Sequence, residues 1–375
     1  MVKTWSIDPD EIAPLLEGLA VLGNGGGGSP DWGRQILEND LSRGRSWKIV
    51  DAEDIPDDWT VVTGGILASV KELAGLEFAE ILQDWETQFL TMQALRLHEG
   101  LLGRKIDAFV PFEPGGLNSP LVLTVSARSE ILAIDGDGLG RACPETQMTT
   151  FTGQGIGIPP MPLVDRRGRA IAVLDCEDSA FPDEIGRWVV SSGGGMGSNT
   201  CYAMTGRQLK DSVVPGTFSR SLEIGRALVK ARAEDRDPVS AIATILAAES
   251  LFRGEITHLL EEDRLGFYVT KATLKGSGPN AGSTAEIVIK NEAMLLFIDG
   301  RPRAIFPDSI YMLEPSTGRG YMSVELRVGS PMSILGAPAH PRLRAAATSA
   351  KGATSLGPVR FGYGDLAYTP IENLR

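Results

Sequence analysis

Ile131-Leu-Ala-Ile-Asp135-Gly-Asp137-Gly-Leu-Gly140-Arg141-Ala-Cys143-Pro144-Glu145-Thr-Gln147-Met148 is the stretch from which the rest of the chain is best read. Its four leading apolar residues predict a short buried strand. The strand runs into Asp-Gly-Asp-Gly, where glycines permit a tight turn beneath two carboxylates. Pro144 suits the first position of a helix that would carry Glu145 in its first turn, where the helix dipole favours an anion. Two aspartates, Arg141 and Glu145 thus crowd the mouth of one strand. Either they form a reactive centre, or the turn is Asp-rich because its side chains cap their own backbone.

Upstream, Trp47–Val50, Trp59–Thr63 and Ile106–Val110 read as further strands. The second is followed by Gly64-Gly65 and the third by Pro111-Phe-Glu113-Pro-Gly115-Gly116-Leu-Asn118. Between them Leu76 to about Leu97 reads as one long helix, and Ser119–Arg128 as a short one. Strand, helix, strand, helix, strand is the pattern of a parallel α/β sheet, whose ligands bind beyond the carboxyl ends of the strands. Gly64, the Glu113–Asn118 loop and the Asp135–Glu145 loop all fall at such ends and are expected to converge.

Before these strands, Ile12, Leu15, Leu16 and Leu19 recur at helical spacing, and the helix runs into Gly23-Asn-Gly25-Gly26-Gly27-Gly28. The run satisfies G-x-G-x-x-G, with Asp51 downstream, but a dinucleotide site needs a strand before the glycines. No nucleotide is therefore expected. The alternatives are an anion nest at the start of a helix capped by Ser29 and begun by Pro30, or a plain turn.

After residue 165 the texture changes. Met161–Asp165 and Ala170–Leu174 flank a hairpin, and a helix near Pro182–Val190 leads to a second glycine loop, Ser191–Asn199. Helices follow over Thr217–Ala233 and Pro238–Ser250, then short alternating runs separated by turns such as Asp299-Gly300. The expected architecture is α/β plus β: residues 1–165 an α/β domain with a mainly parallel sheet, residues 166–375 a β-rich domain with a few helices.

The chain has 375 residues, 42% hydrophobic and 22% charged, and a formal net charge of -12. Such an acidic balance argues against nucleic acid and against an anionic membrane surface, and leaves a small molecule as the expected ligand. No apolar run is long enough to span a bilayer and no leader is evident, so the expected location is the cytoplasm. Cys143, Cys176 and Cys201 form neither a disulfide framework nor a zinc ribbon. Of the histidines, His98 is expected to be solvated or to cap its helix end, His258 to lie on a strand from which it either points into a site or serves no function, and His340 to sit in a loop. A homo-oligomer is the expected assembly.

The central stretch from Asp135 to Met148 resembles the signature of the S-methyl thiohydantoin desulfurase family, long known as a domain of unknown function beside hydantoinase-type genes. Leu22–Gly28, Glu113–Ser119, Leu251–Ile256, Asn291-Glu292 and Pro307–Ile310 match in order, while Gly64–Glu72 follows the family pattern loosely. The resemblance implies a substrate with a five-membered thiohydantoin ring whose sulfur is methylated, hydrolysed to a hydantoin and methanethiol. Such a reaction must activate water, protonate a ring nitrogen and release a thiolate, which carboxyl groups can do. The candidates are Asp135 or Asp137 as base or as ligands of a divalent metal ion, with Glu145 and Glu113 as the other carboxylates. Gly25, Gly26, Gly27, Gly115, Gly116 and Asn118 are candidate substrate contacts, and Arg141 a candidate fork for a substrate carboxylate. Cys201 is a candidate thiolate nucleophile, with a buried inert thiol as the plainer reading. The alternative to an enzyme is a non-catalytic binding, sensor or accessory protein of hydantoin metabolism.

Overall fold

The computed structural model describes residues 2–68, 78–264 and 267–374. Two sheets organise the chain, and the fold is α/β plus β. Strands β1 (Ile49–Asp51), β2 (Thr60–Ala68), β3 (Ala108–Pro111) and β4 (Leu132–Asp137) are mutually parallel, in the order β1-β4-β3-β2. The sheet continues past β2 through antiparallel strands β5 (Met161–Asp165), β6 (Ala170–Val173) and β7 (Met196–Thr205), in the order β2-β7-β5-β6. The first sheet thus draws strands from both sides of residue 165. A two-residue strand, β8 (Val214–Pro215), pairs with the end of β4.

Strands β9 (Glu249–Arg264), β10 (Phe267–Gly276), β11 (Thr284–Lys290), β12 (Glu292–Ile298), β13 (Arg301–Ile305), β14 (Ser309–Leu313) and β15 (Pro331–Ala337) form the second sheet. It is antiparallel throughout, in the order β13-β12-β11-β10-β9-β15-β14. Two of its turns follow directly from sequence chemistry. Asp299 and Gly300 both take positive φ (49° and 75°), as a two-residue hairpin needs. Asn291 alone separates β11 from β12, at φ 57°, a conformation asparagine tolerates better than most residues.

Several local expectations change. The predicted helix from Leu76 to Leu97 is two helices, Phe78–Asp84 and Leu90–Leu102, with Leu76 outside the described residues. The break lets Trp85 pack edge-on to Phe78 and close to Phe89, whose ring also carries the Arg128 guanidinium. Of Gly64–Glu72, the residues from Ser69 onward lie outside the described ones. The helix begun at Pro238 ends at Ala243, since Glu249 already belongs to β9. No helix opens at Pro144: Glu145 and Thr146 are drawn to partners elsewhere, and the next helix is Thr150–Gly153.

Each sheet has its own core, and a further cluster joins the two. Leu139, Cys143 and Met148, from the loop after β4, pack with Val288, Met294 and Leu295 of the second sheet and with Phe306, just after β13. The central stretch of the sequence is therefore the seam of the molecule. No helix among the described residues is long and apolar enough to cross a membrane.

Candidate active site

The strand-end loops do converge. A cavity of about 490 Å³ is bounded by the glycine run Gly25–Gly28, the end of β2, the loop holding Glu113 and Asn118, and Cys143–Thr146. The helix Phe181–Ser192 adds Asp183 and Arg187, β7 adds Asn199 and Cys201, and the second sheet adds Asn291, Glu292 and the turn at Met322–Glu325.

The glycine run is a stitched junction, preceded by the helix Ile12–Leu22 and not by a strand. On one side the carbonyls of Asn24 and Gly25 accept from Ala293 and Ser323, and the Asn24 side chain accepts from Ile310 N–H. On the other, the Gly27 carbonyl accepts from Leu117 N–H at 3.0 Å. Only glycine permits this closeness: a Cβ on Gly26 would stand 1.7 Å from Glu292 Oε1, and one on Gly27 2.5 Å from the Gly115 Cα. Gly115 and Gly116 serve the same packing, their missing side chains giving room to Gly27, Gly28 and Pro30, and they are not among the residues lining the cavity.

Of the four buried carboxyl groups that line the cavity among the described residues, Glu145 and Asp183 are ion-paired, and the other two, Glu113 and Glu292, form its floor. Glu113, 5% exposed, accepts from Cys143 N–H at 2.9 Å and from the Asn118 amide at 3.2 Å. Asn118 is itself fixed, because its Oδ1 accepts from Ile66 N–H at 3.2 Å and so leaves its NH₂ for Glu113. Burial raises the Glu113 carboxyl to about 7, against the pull of those two hydrogen bonds, and the neighbouring Asp137 adds to the rise. Glu292, 3% exposed, opens β12 beyond Asn291. Its Oε2 has no hydrogen-bond partner, and burial together with the nearby charge of Glu113 pushes it well above the usual carboxyl range. Burial and the nearness of the other carboxyl both oppose ionisation, and the donors from Cys143 and Asn118 favour the anion at Glu113 over that at Glu292.

The other predicted residues surround this floor without joining it. Asp135 and Asp137 are two apart on a strand and so share one face, the face covered by the helix Thr217–Ala233. Asp135 accepts from Phe218 and Ser219 N–H at that helix's start, and Asp137 accepts from Thr217 Oγ1 and from Leu139 N–H. Asp135 opens to a separate depression beside Asp51 and Trp5. Burial raises both, Asp137 to about 6. Asp137 thus caps its own turn, whereas Asp135 caps the start of a helix distant in sequence. Among the described residues no group of three or more His, Cys, Asp and Glu side chains is placed to hold a metal ion. Replacing Asp135 with alanine is expected to lower stability by about 1–2 kcal/mol through loss of this cap, read as a lower urea midpoint at unchanged slope.

Arg141 does not face the cavity. Its guanidinium is buried on the Phe306 ring and donates to the carbonyls of Ala142 (3.0 Å), Asp308 (2.7 Å) and Ala293 (2.7 Å). Ala142 precedes the residue that holds Glu113, and Ala293 follows Glu292. One side chain therefore clips the backbone segment that carries Glu292 to the segment whose Cys143 N–H holds Glu113. Glu145 lines the cavity but is paired with Lys290 and Arg360 of the second half.

The remaining polar candidates are displaced by burial or exposure. Cys201 lines the cavity, and burial pushes its thiol far above neutrality, as it does for Cys143, so neither is poised as a thiolate. His258 is exposed on β9, away from the cavity. His98 is fully buried within its helix, bonded to Thr200 and lowered to about 4 by burial, and His340 caps the helix Pro341–Thr348. The loop Ser191–Asn199 is the end of a helix and the start of β7, and its Asn199 accepts from Gly65 N–H at 3.2 Å. Glu292, Arg187 and Trp32 line the cavity without having been assigned from sequence. Only the quoted pair Asn291-Glu292 had pointed to any of them.

A family model described as S-Me-THD-like, N-terminal domain, matches residues 10–175, and one described as S-Me-THD-like, C-terminal domain, matches residues 177–371. No curated protein matches the chain. A protein from Chromobacterium violaceum, solved by X-ray crystallography, aligns with a TM-score of 0.75 at 22% identity, over 98% of this chain and 100% of its own, a likeness of fold.

Proposed function

The chain belongs to the S-Me-THD-like family, and on that premise we propose that it is a hydrolase removing the S-methyl group of a thiohydantoin ring as methanethiol, leaving a hydantoin. The buried pair Glu113 and Glu292 on the cavity floor is the observation that supports this reading.

The ionised Glu113 takes a proton from water as its oxygen bonds to the ring carbon bearing sulfur, while protonated Glu292 gives its proton to the ring nitrogen of the C=N bond. In the tetrahedral species that results, the C–S bond breaks and the departing methanethiolate takes the proton held by Glu113. The new hydroxyl gives its proton to Glu292 as the carbonyl forms. Water is consumed, and both carboxyls return to their starting states. Asn118 acts on the base, holding Glu113 in place through a hydrogen bond that favours its anion.

The test is release of methanethiol from S-methyl thiohydantoins by the purified protein across pH. Turnover requires one proton on the pair, so it falls toward acid as Glu113 gains a proton and toward alkali as Glu292 loses one. A bell with its acid limb near 7 is expected. Binding without release at any pH would favour a sensor or accessory role.

A further inference from the structure

We propose that the cavity's mouth is a subsite for an apolar, preferably aromatic, substituent on the substrate ring, with Trp32 as its wall; the proposal rests on the reading of the site as a thiohydantoin hydrolase. The cavity grades from floor to mouth. Glu113 and Glu292 are almost wholly buried, whereas Trp32, Ile66, Leu67 and Ala68 are half-buried and Val324 is 37% exposed. Among the described residues, an acid floor thus opens into a rim with an apolar wall on the Trp32 side. At about 490 Å³ the space is of the size, about 300–1,000 Å³, that encloses drug-sized ligands. A bare ring with an S-methyl group fills only part of it.

Trp32 is held ready for a flat partner. It stacks on Phe78 with centroids 4.3 Å apart and planes within 8°, so the indole that meets the cavity is fixed in orientation. Aromatic groups bury large areas and gain from offset or edge contacts. The charged lining residues are already committed. Glu145 pairs with Lys290 and Arg360, and Glu325 with Arg319. Arg187, the cation among the described lining residues, binds Asp183 at 2.8 Å and the Pro144 carbonyl and lies 3.6 Å over the Phe267 ring. A carboxylate substituent would meet this rim, and beneath it the anionic Glu113.

The experiment compares S-methyl thiohydantoins carrying methyl, benzyl or carboxymethyl at ring C5. With the purified protein, kcat/KM for the benzyl substrate is expected to exceed that for methyl by roughly 10–100-fold, and carboxymethyl to fall below methyl. Trp32→Ala is expected to shrink the benzyl-to-methyl ratio about tenfold. Val324→Asp, at the rim and tolerant of a polar side chain, is expected to shift preference toward a C5 aminobutyl group. A carboxymethyl substrate as good as benzyl, or a Trp32→Ala loss equal for all substrates, overturns the proposal. Should no compound release thiol, the hydrolase reading fails, and calorimetry on the same series then reads the subsite alone: tighter binding of benzyl upholds it, and equal affinities overturn it.

Discussion

Glu292→Gln is expected to lower kcat for methanethiol release by about 10²- to 10⁴-fold, the usual contribution of a positioned acid or base, while changing substrate affinity little. Glutamine matches glutamate in size, so the contact with Gly26 that admits no further atom is preserved. What it lacks is a proton to give to the ring nitrogen. Because an amide does not ionise, the alkaline limb of the pH profile should vanish as well, leaving activity that rises with pH through the Glu113 titration and then stays level. Stopped assays of thiol release between pH 5 and 10 check both statements. A variant that keeps its full rate would remove Glu292 from the chemistry.

Arg141→Met is expected to act on stability and on proton affinity together. Three buried carbonyls would lose a charged donor and Glu292 a nearby cation, a loss on the order of 3–5 kcal/mol, visible as a lower thermal midpoint. The sign of the catalytic effect follows from charge. Arg141 favours the anions of both Glu113 and Glu292, so its removal should move both limbs of the bell toward higher pH. Arg141→Lys retains the cation without the planar fork, and should lose stability while the limbs stay closer to their original positions. Limbs that stay in place in Arg141→Met would mean that the guanidinium only packs.

The parallel pairing in the first half and the meeting of three loops were legible because each loop sits directly after an apolar run, and parallel strands deliver their ends to one edge. Which carboxyls face the cavity was not legible in the same way. Asp135 and Asp137 share a strand face, but only the position of a helix some 80 residues later decides that this face is the capped one. Glu145 looked free because Lys290 and Arg360 are distant in sequence. Arg141 looked like a substrate fork because its true partners are backbone carbonyls, which leave no mark on residue type. Glu292 lies in an antiparallel sheet, where no strand-end rule singles it out, and a one-residue turn at Asn291 aims it. His98 shows the same limit, since polar residues on an amphipathic helix are buried or exposed by what packs against them.

The buried clip at Arg141 also bears on how the molecule comes apart. Its three acceptors lie on both sides of the seam, where Leu139 and Met148 meet Leu295 and Phe306. Separating the sheets would strand a guanidinium in an apolar cluster, so a partly opened form with one half intact is costly. Although the sequence divides into two family domains, denaturant should melt them in one cooperative transition, with the two halves losing structure at the same midpoint.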